Sequence, residues 1–204
     1  VTEALVGQAT AVGRDLEARD RIVAAARRCF RRNGVAKTRI AAVAAEAGMV
    51  RQTVYDFVES RAQLLGLAMA ARMAEFVDPV AERFHPGASS DVSDDLVELL
   101  AVMTEVMHAD PECAELAAGM TPANALSFMS GPDSEAQPVV VGILAPVYVR
   151  AQEAGLLRPG LTVDEMAAWS RNALAPLAQR DDLTPGALRA TIRRFVLPAF
   201  LRAP

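Results

Sequence analysis

"KTRIAAVAAEAGMVRQTVYDF", Lys37 to Phe57, decides the fold. Thr38 is placed to cap a short helix whose apolar face is Ile40, Val43, Ala44 and Ala47. Gly48 breaks that helix, because glycine takes the left-handed backbone of a tight turn without a steric cost. After only Met49 and Val50 a second short helical pattern begins, burying Val54, Phe57 and Val58. Two helices across such a turn have the shape of a helix-turn-helix: the first braces the second, and the N-terminal end of the second enters a major groove. Arg51, Gln52 and Thr53 fall at that end. Arginine bonds a guanine edge with two donors, glutamine bonds adenine bidentately, and threonine meets a phosphate or a thymine methyl. Tyr55, one turn on from Arg51, comes within reach of a backbone phosphate.

Working outward, Asp20 is placed to cap a preceding helix with Ile22, Ala26, Cys29 and Phe30 on one stripe, ended by Gly34. On the other side Ser60 and Gln63 form a capping box. It opens a long helix through Leu64, Leu65, Ala68 and Ala71 to about Phe84. A loop follows, then a helix from about Val92 to Ala109 and another opened by Asp110-Pro111. Thr121 to Met129 is ambiguous. Ser134 to Ala154 reads as a helix kinked at Pro146. Thr162 and Glu165 make a second capping box, with Leu161 and Met166 as its hydrophobic staple. Thr184-Pro185 starts the last helix, disturbed at Pro198. The expected fold is all-α, about nine helices, with a composition shift near Ser60. It divides a domain at 17–62 from a larger one at 63–204.

The net charge of -4 over 204 residues argues on average against nucleic acid, but its distribution does not. From Arg27 to Arg51 seven bases face one acid, Glu46, so these residues carry +6 and the remainder carries -10. A basic island in an acidic chain marks which end meets an anionic partner. Cys29 and Cys113 sit in apolar surroundings at no metal-ligand spacing, and read as buried thiols in a reducing compartment. No apolar run is long enough to span a bilayer, and the N-terminal stretch lacks the pattern of a signal peptide, so the expected location is cytoplasmic, with no membrane partner. The chain opens on Val1 rather than Met, which leaves room for a preceding arm.

"RIVAAARRCFRRNGVAKTRIAAVAAEAGM", "TVY" and "SRAQLL" together resemble the DNA-binding domain of the TetR family of bacterial transcriptional regulators. The positions that match are Phe30, Gly34, Thr38, Ala47, Gly48, Thr53, Val54, Tyr55, Ser60, Arg61, Leu64 and Leu65, spaced without interruption over about a quarter of the chain. The resemblance implies DNA contacts at Thr38, Arg39, Arg51, Gln52, Thr53, Tyr55 and Arg61. Some residues depart from the pattern. Val50 stands where a serine often caps the recognition helix, and Gln52 replaces a frequently small residue. Asp56 puts an acid near phosphates, where it should point away or pair with a base such as Arg51. Arg61 replaces a common lysine and keeps the charge.

The resemblance further implies a ligand-responsive repressor acting as a homodimer on a palindromic operator in double-stranded DNA, released by a small apolar effector. Met side chains adapt to apolar ligands, although a Met and aromatic stripe is more often plain core. The candidates for an effector pocket are Met103, Met107, Met120, Phe128 and Met129, with Tyr148, Trp169 and Asn172. Dimerisation is expected in the last two long helices, through Met166, Leu174, Leu177, Leu188, Ile192, Phe195 and Val196. No cofactor is expected. His108 near Cys113 lacks a third metal ligand, no serine sits in a Gly-x-Ser-x-Gly elbow, and no glycine loop cradles phosphate, so an enzyme reading has little to stand on. The rivals are a helical small-molecule-binding protein or enzyme that no longer binds DNA, and a helical adaptor.

Overall fold

The computed structural model describes residues 2–87, 89–131 and 134–202, with side chains from residue 13 onward; Val1 lies outside them. The helices are α1 (Thr2–Asn33), α2 (Ile40–Ala47), α3 (Arg51–Phe57), α4 (Arg61–Ala74), α5 (Val77–Arg83) and α6 (Val92–His108). They continue as α7 (Pro111–Ala118), α8 (Pro122–Ser130), α9 (Gln137–Glu153), α10 (Val163–Leu174) and α11 (Pro185–Thr191). Strand-like pairing among the described residues is confined to Leu157 opposite Leu201. There the Arg158 and Arg202 N–H groups donate to Phe200 and Leu156 at 2.9 and 2.8 Å. No described helix is long and apolar enough to cross a membrane.

The first helix begins far ahead of Asp20, which lies inside it. Residues 13–20 are mostly exposed, so alanine, leucine, glutamate and arginine carry the helix there by propensity rather than burial. Gly34 ends it at φ 77°. Thr38 does not cap α2. It is buried, and its hydroxyl is directed at the carbonyls of Cys29 and Gly34, at 3.2 and 2.9 Å, closing the end of α1. Arg39 takes the N-cap position of α2 and offers no side-chain bond.

The long helix expected from Ser60 to Phe84 is two. Pro79 has no N–H to offer the Glu75 carbonyl and its ring crowds that carbonyl, so the chain turns at Glu75-Phe76 between α4 and α5. The Ser60–Gln63 box forms in modified shape: Ser60 Oγ accepts from the Gln63 N–H at 3.1 Å, while Gln63 Oε1 accepts from Glu59 at 2.7 Å. The ambiguous stretch is α8, capped by Thr121. The helix expected from Ser134 begins at Gln137 and runs through Pro146. Pro176, again lacking an N–H, stops α10 at Leu174, and a 3-10 turn follows over Leu177–Gln179. The last helix widens into π turns over Ile192–Val196 before Pro198.

Polar and steric contacts join the small helices to the rest. Arg27 on α1 binds Glu75 at the end of α4 and Glu112 in the first turn of α7, the latter at 2.6 Å. Arg72 reaches Glu75 too, and also Asp110, whose other oxygen caps α7 at the Cys113 N–H. Gly119, just after α7, lies against Val35: a Cβ there would stand 2.3 Å from Val35 Cγ1.

Gly119→Ala should lower stability in urea unfolding by about 1–3 kcal/mol, because the buried Val35 has nowhere to retreat. Adding Val35→Ala should recover part of that loss, and strictly additive effects would rule out the close approach as the cause. Hydrogen bonds from Arg27 and, more weakly, Arg72 hold the Glu75 carboxyl at about 2, against an ordinary 4.5, with burial opposing them. That contribution is complete above pH 4.5 and is lost as the pH falls towards 2. With the Glu75 side chain 45% exposed, solvent screening leaves about 0.5–1 kcal/mol. Glu75→Gln should flatten the acid limb of a stability–pH curve by that amount.

Candidate nucleic-acid interface and effector cavity

The turn between α2 and α3 is fixed by its own backbone. Gly48 sits at φ 68° and ψ 35°; its N–H donates to Ala45 at 3.1 Å, and that of Met49 to Ala44 at 2.9 Å. This is the Schellman closure, which ends a helix with one residue in the left-handed region. Arg21 on α1 donates to the Ala47 carbonyl at 2.9 Å, tying the turn to α1. Val54 and Val58 are buried and Phe57 is half-buried, which orients α3 and leaves Arg51, Gln52, Tyr55 and Asp56 exposed, with Thr53 half-buried. Val50 provides no side-chain cap.

On that outer face the side chains pair along the helix. The Arg51 guanidinium lies 5.3 Å from the centre of the Tyr55 ring and donates to its hydroxyl at 3.1 Å. Asp56 accepts from Gln52 at 3.4 Å rather than pairing with Arg51. Arg39 is exposed at the start of α2. Arg61 donates to the Val35 carbonyl, so it braces α4 against the α1–α2 connection as well as presenting charge.

The basic island is smaller than its composition. Arg28 and Arg32 both bind Glu46, whose carboxyl they hold below its ordinary value. Arg27 is occupied by Glu75 and Glu112, and Arg31 lies 3.5 Å from Glu112. Among the described residues Lys37, Arg39 and Arg51 take part in no ion pair, and they cluster around α2 and α3.

The larger domain holds a partly open cavity of about 500 Å³, within the range of small-molecule sites, with His108, Ala114, Ala118, Gln179 and Asp181 at its exposed rim. Met69 and Met73 of α4 line it together with Met103 and Met107 of α6, and Ala114, Ala117 and Ala118 of α7 form another wall. Met120, Phe128 and Met129 also line it, so five of the expected residues meet there. Three do not. Tyr148 donates its hydroxyl to the Leu161 carbonyl at 2.7 Å, while Trp169 and Asn172 lie on the opposite, exposed face of α10. Asn172 is engaged with Ser130 and with the Ala168 carbonyl.

Sequence reasoning missed Ser170 and Arg171, both buried and both lining the cavity. The signal was present: they share a stripe with Met166, Ala167 and Leu174, where a polar residue is anomalous. Of the positions expected between two copies, Met166, Leu174, Leu188, Ile192 and Val196 are instead buried within the protomer, and Leu177 is half-buried. Their apolar stripe faces the chain's own core. Phe195 is exposed at 66%, as is Trp169 at 50%.

His108 Nδ1 lies 2.7 Å from the Ala178 carbonyl, and among the described residues no three His, Cys, Asp or Glu groups are grouped to hold a metal ion. Both cysteines are buried free thiols. Burial, reinforced by Asp110, pushes the Cys113 thiol up to about 12.

Residues 22–68 match the family model of the bacterial regulatory proteins of the tetR family. No curated protein matches the chain. Among solved structures the fold is similar to that of the R. erythropolis transcriptional repressor QsdR from the TetR family. The TM-score is 0.64 at 18% identity, over 92% of this chain and 97% of that one. It is also similar to the fatty acid degradation regulator FadR from Bacillus halodurans, with a TM-score of 0.50 at 18% identity over 88% and 94%. At these identities the likeness is one of fold.

With so little thiolate at Cys113, iodoacetamide at pH 8 should leave it unmodified in the folded chain and label it fully in denaturant, by intact-mass measurement. Rapid labelling of the native chain would show that α7 opens.

Proposed function

Given that residues 22–68 are a DNA-binding domain of the tetR family, in a fold shared with its regulators, we propose that this chain is an effector-controlled transcriptional repressor acting as a homodimer. The observation that carries the reading is the position of α4. Its first turn, capped by Ser60, belongs to the DNA-binding domain, and its later turns carry Met69 and Met73 into the cavity wall. A molecule filling the cavity therefore leans on the helix that sets the recognition helix in place.

Arg51, Gln52 and Thr53 read base edges in the major groove, while Lys37, Arg39, Tyr55 and Arg61 hold phosphates. Thr38 supports this surface from inside. Stacking on Tyr55 preorganises Arg51, which lowers the side-chain entropy lost on docking. Two copies read half-sites about 34–36 Å apart, or a multiple of that. We assign their contact to α10 and the last helical segment, through Trp169 and Phe195, the aromatic side chains those elements leave exposed.

Release of DNA follows from differential affinity. An effector that prefers the off-operator spacing tenfold shifts the balance by about 1.4 kcal/mol per site. The strain passes through α4 and α7 to Arg27, which both elements hold by a carboxylate. Catalysis plays no part in this reading.

Fluorescence anisotropy with the DNA upstream of the chain's own gene tests it. The dimer should bind a near-palindrome, and Arg51→Ala should cost about 1–3 kcal/mol and relax preference at one base position. Lys37→Ala should weaken every sequence alike and reduce the salt slope by about one. Absence of specific binding would favour a helical ligand-binding protein without DNA recognition; unchanged affinity and preference in Arg51→Ala would overturn the assignment of α3.

A further inference from the structure

Arg171 is anomalous. It is 6% exposed, lines a cavity that is mostly apolar, and forms no ion pair among the described residues. Its Nη1 donates to the Phe128 carbonyl at 3.3 Å and to the Ser134 hydroxyl. Its Nε is buried without a hydrogen-bond partner, and Nη2 donates to no group among the described residues. Nε–H and Nη2–H lie on the same edge of the guanidinium and point in parallel, the fork that accepts a carboxylate with two bonds. Beside it the Ser170 hydroxyl is 1% exposed and also unpartnered. Burial pushes the guanidinium below its ordinary value, and among the described residues no acid offsets it.

A buried cation without a counter-charge is costly, and removing or neutralising it would relieve that cost. Most of the remaining wall is apolar, Met103, Met107 and Met120 with the alanines of α7, and its polar side chains are Thr104, His108, Gln179 and Asp181. We infer that the cavity takes an amphipathic carboxylate, its head drawn to the uncompensated charge of Arg171 and its hydrocarbon part along the methionines. A small shift of the Arg171 side chain brings Nε–H and the neighbouring Ser170 hydroxyl, both closed to the cavity as they stand, to the same head. A neutral ester satisfies a hydrogen bond but leaves the charge uncompensated, and an ammonium head repels it. This inference rests on reading the cavity as the effector site, and sharpens it from an apolar molecule to an anionic one.

The test uses the full chain and an uncharged fluorescent probe, N-phenyl-1-naphthylamine, displaced by three molecules with the same tail: octanoate, methyl octanoate and octylamine. Octanoate should displace the probe at a concentration at least tenfold below that of the ester, with the amine weakest. In Arg171→Gln the acid and the ester should become equivalent while the probe still binds; Ser170→Ala should narrow the gap partially. Should Arg171→Gln fail to fold, the headgroup comparison on the unmodified chain and Ser170→Ala still decide. Equal displacement by acid and ester, or preference for the amine, overturns the anionic head and leaves the cavity reading standing. Failure of the probe itself to bind overturns both.

Discussion

Arg27 ties the first helix to two separate elements of the larger domain. It is 13% exposed and is held at once by Glu75 and Glu112. Exposed pairs such as Arg180–Asp182 contribute between nothing and about 1 kcal/mol, because water screens them and long side chains lose freedom in forming them. A largely desolvated pair differs in what its rupture costs: removing one partner strands the other charge, at a penalty that reaches about 3–5 kcal/mol when burial is complete. Arg27 lies between these limits. It therefore acts less as a source of stability than as a fixed point about which α1, α4 and α7 are held in one relation.

That relation links the walls of the cavity to α1, which Arg21 ties to the turn between α2 and α3. The methionines of α4 and the alanines of α7 touch the cavity from one side, and the ends of those helices hold Arg27 from the other. Gly119 adds a steric stop, since α7 cannot move towards the α1–α2 connection without meeting Val35. A contact with so little clearance behaves as two packings rather than a continuous slide, which suits a switch.

What the sequence disclosed follows from the range over which each signal acts. The helix-turn-helix was legible because Gly34, Gly48 and the Ser60 cap are local devices. The break at Glu75 was obscured because the apolar period continues across it, while Pro79 acts four residues upstream of itself. Periodicity along α10 and α11 identified an apolar face but not its owner. Met166 and Ile192 face their own core, and only three-dimensional packing separates that from a partner's. Composition pointed to Met103, Met107, Met120, Met129 and Phe128, but not to Met69 and Met73 of α4, which share the same wall. Arg171 was passed over because a single charge in a helix is ordinarily solvated, and its meaning comes from Ser134 and Phe128, more than thirty residues away.

The alanine wall of α7 has a consequence for how such a protein diversifies. Ala114, Ala117 and Ala118 line the cavity with the smallest of side chains, so larger residues at these positions would take up part of its space. Tail length can thus be retuned on α7 while head recognition stays with α10. Substitutions on α7 would then change what the cavity admits while leaving the exposed face of α3 as it is.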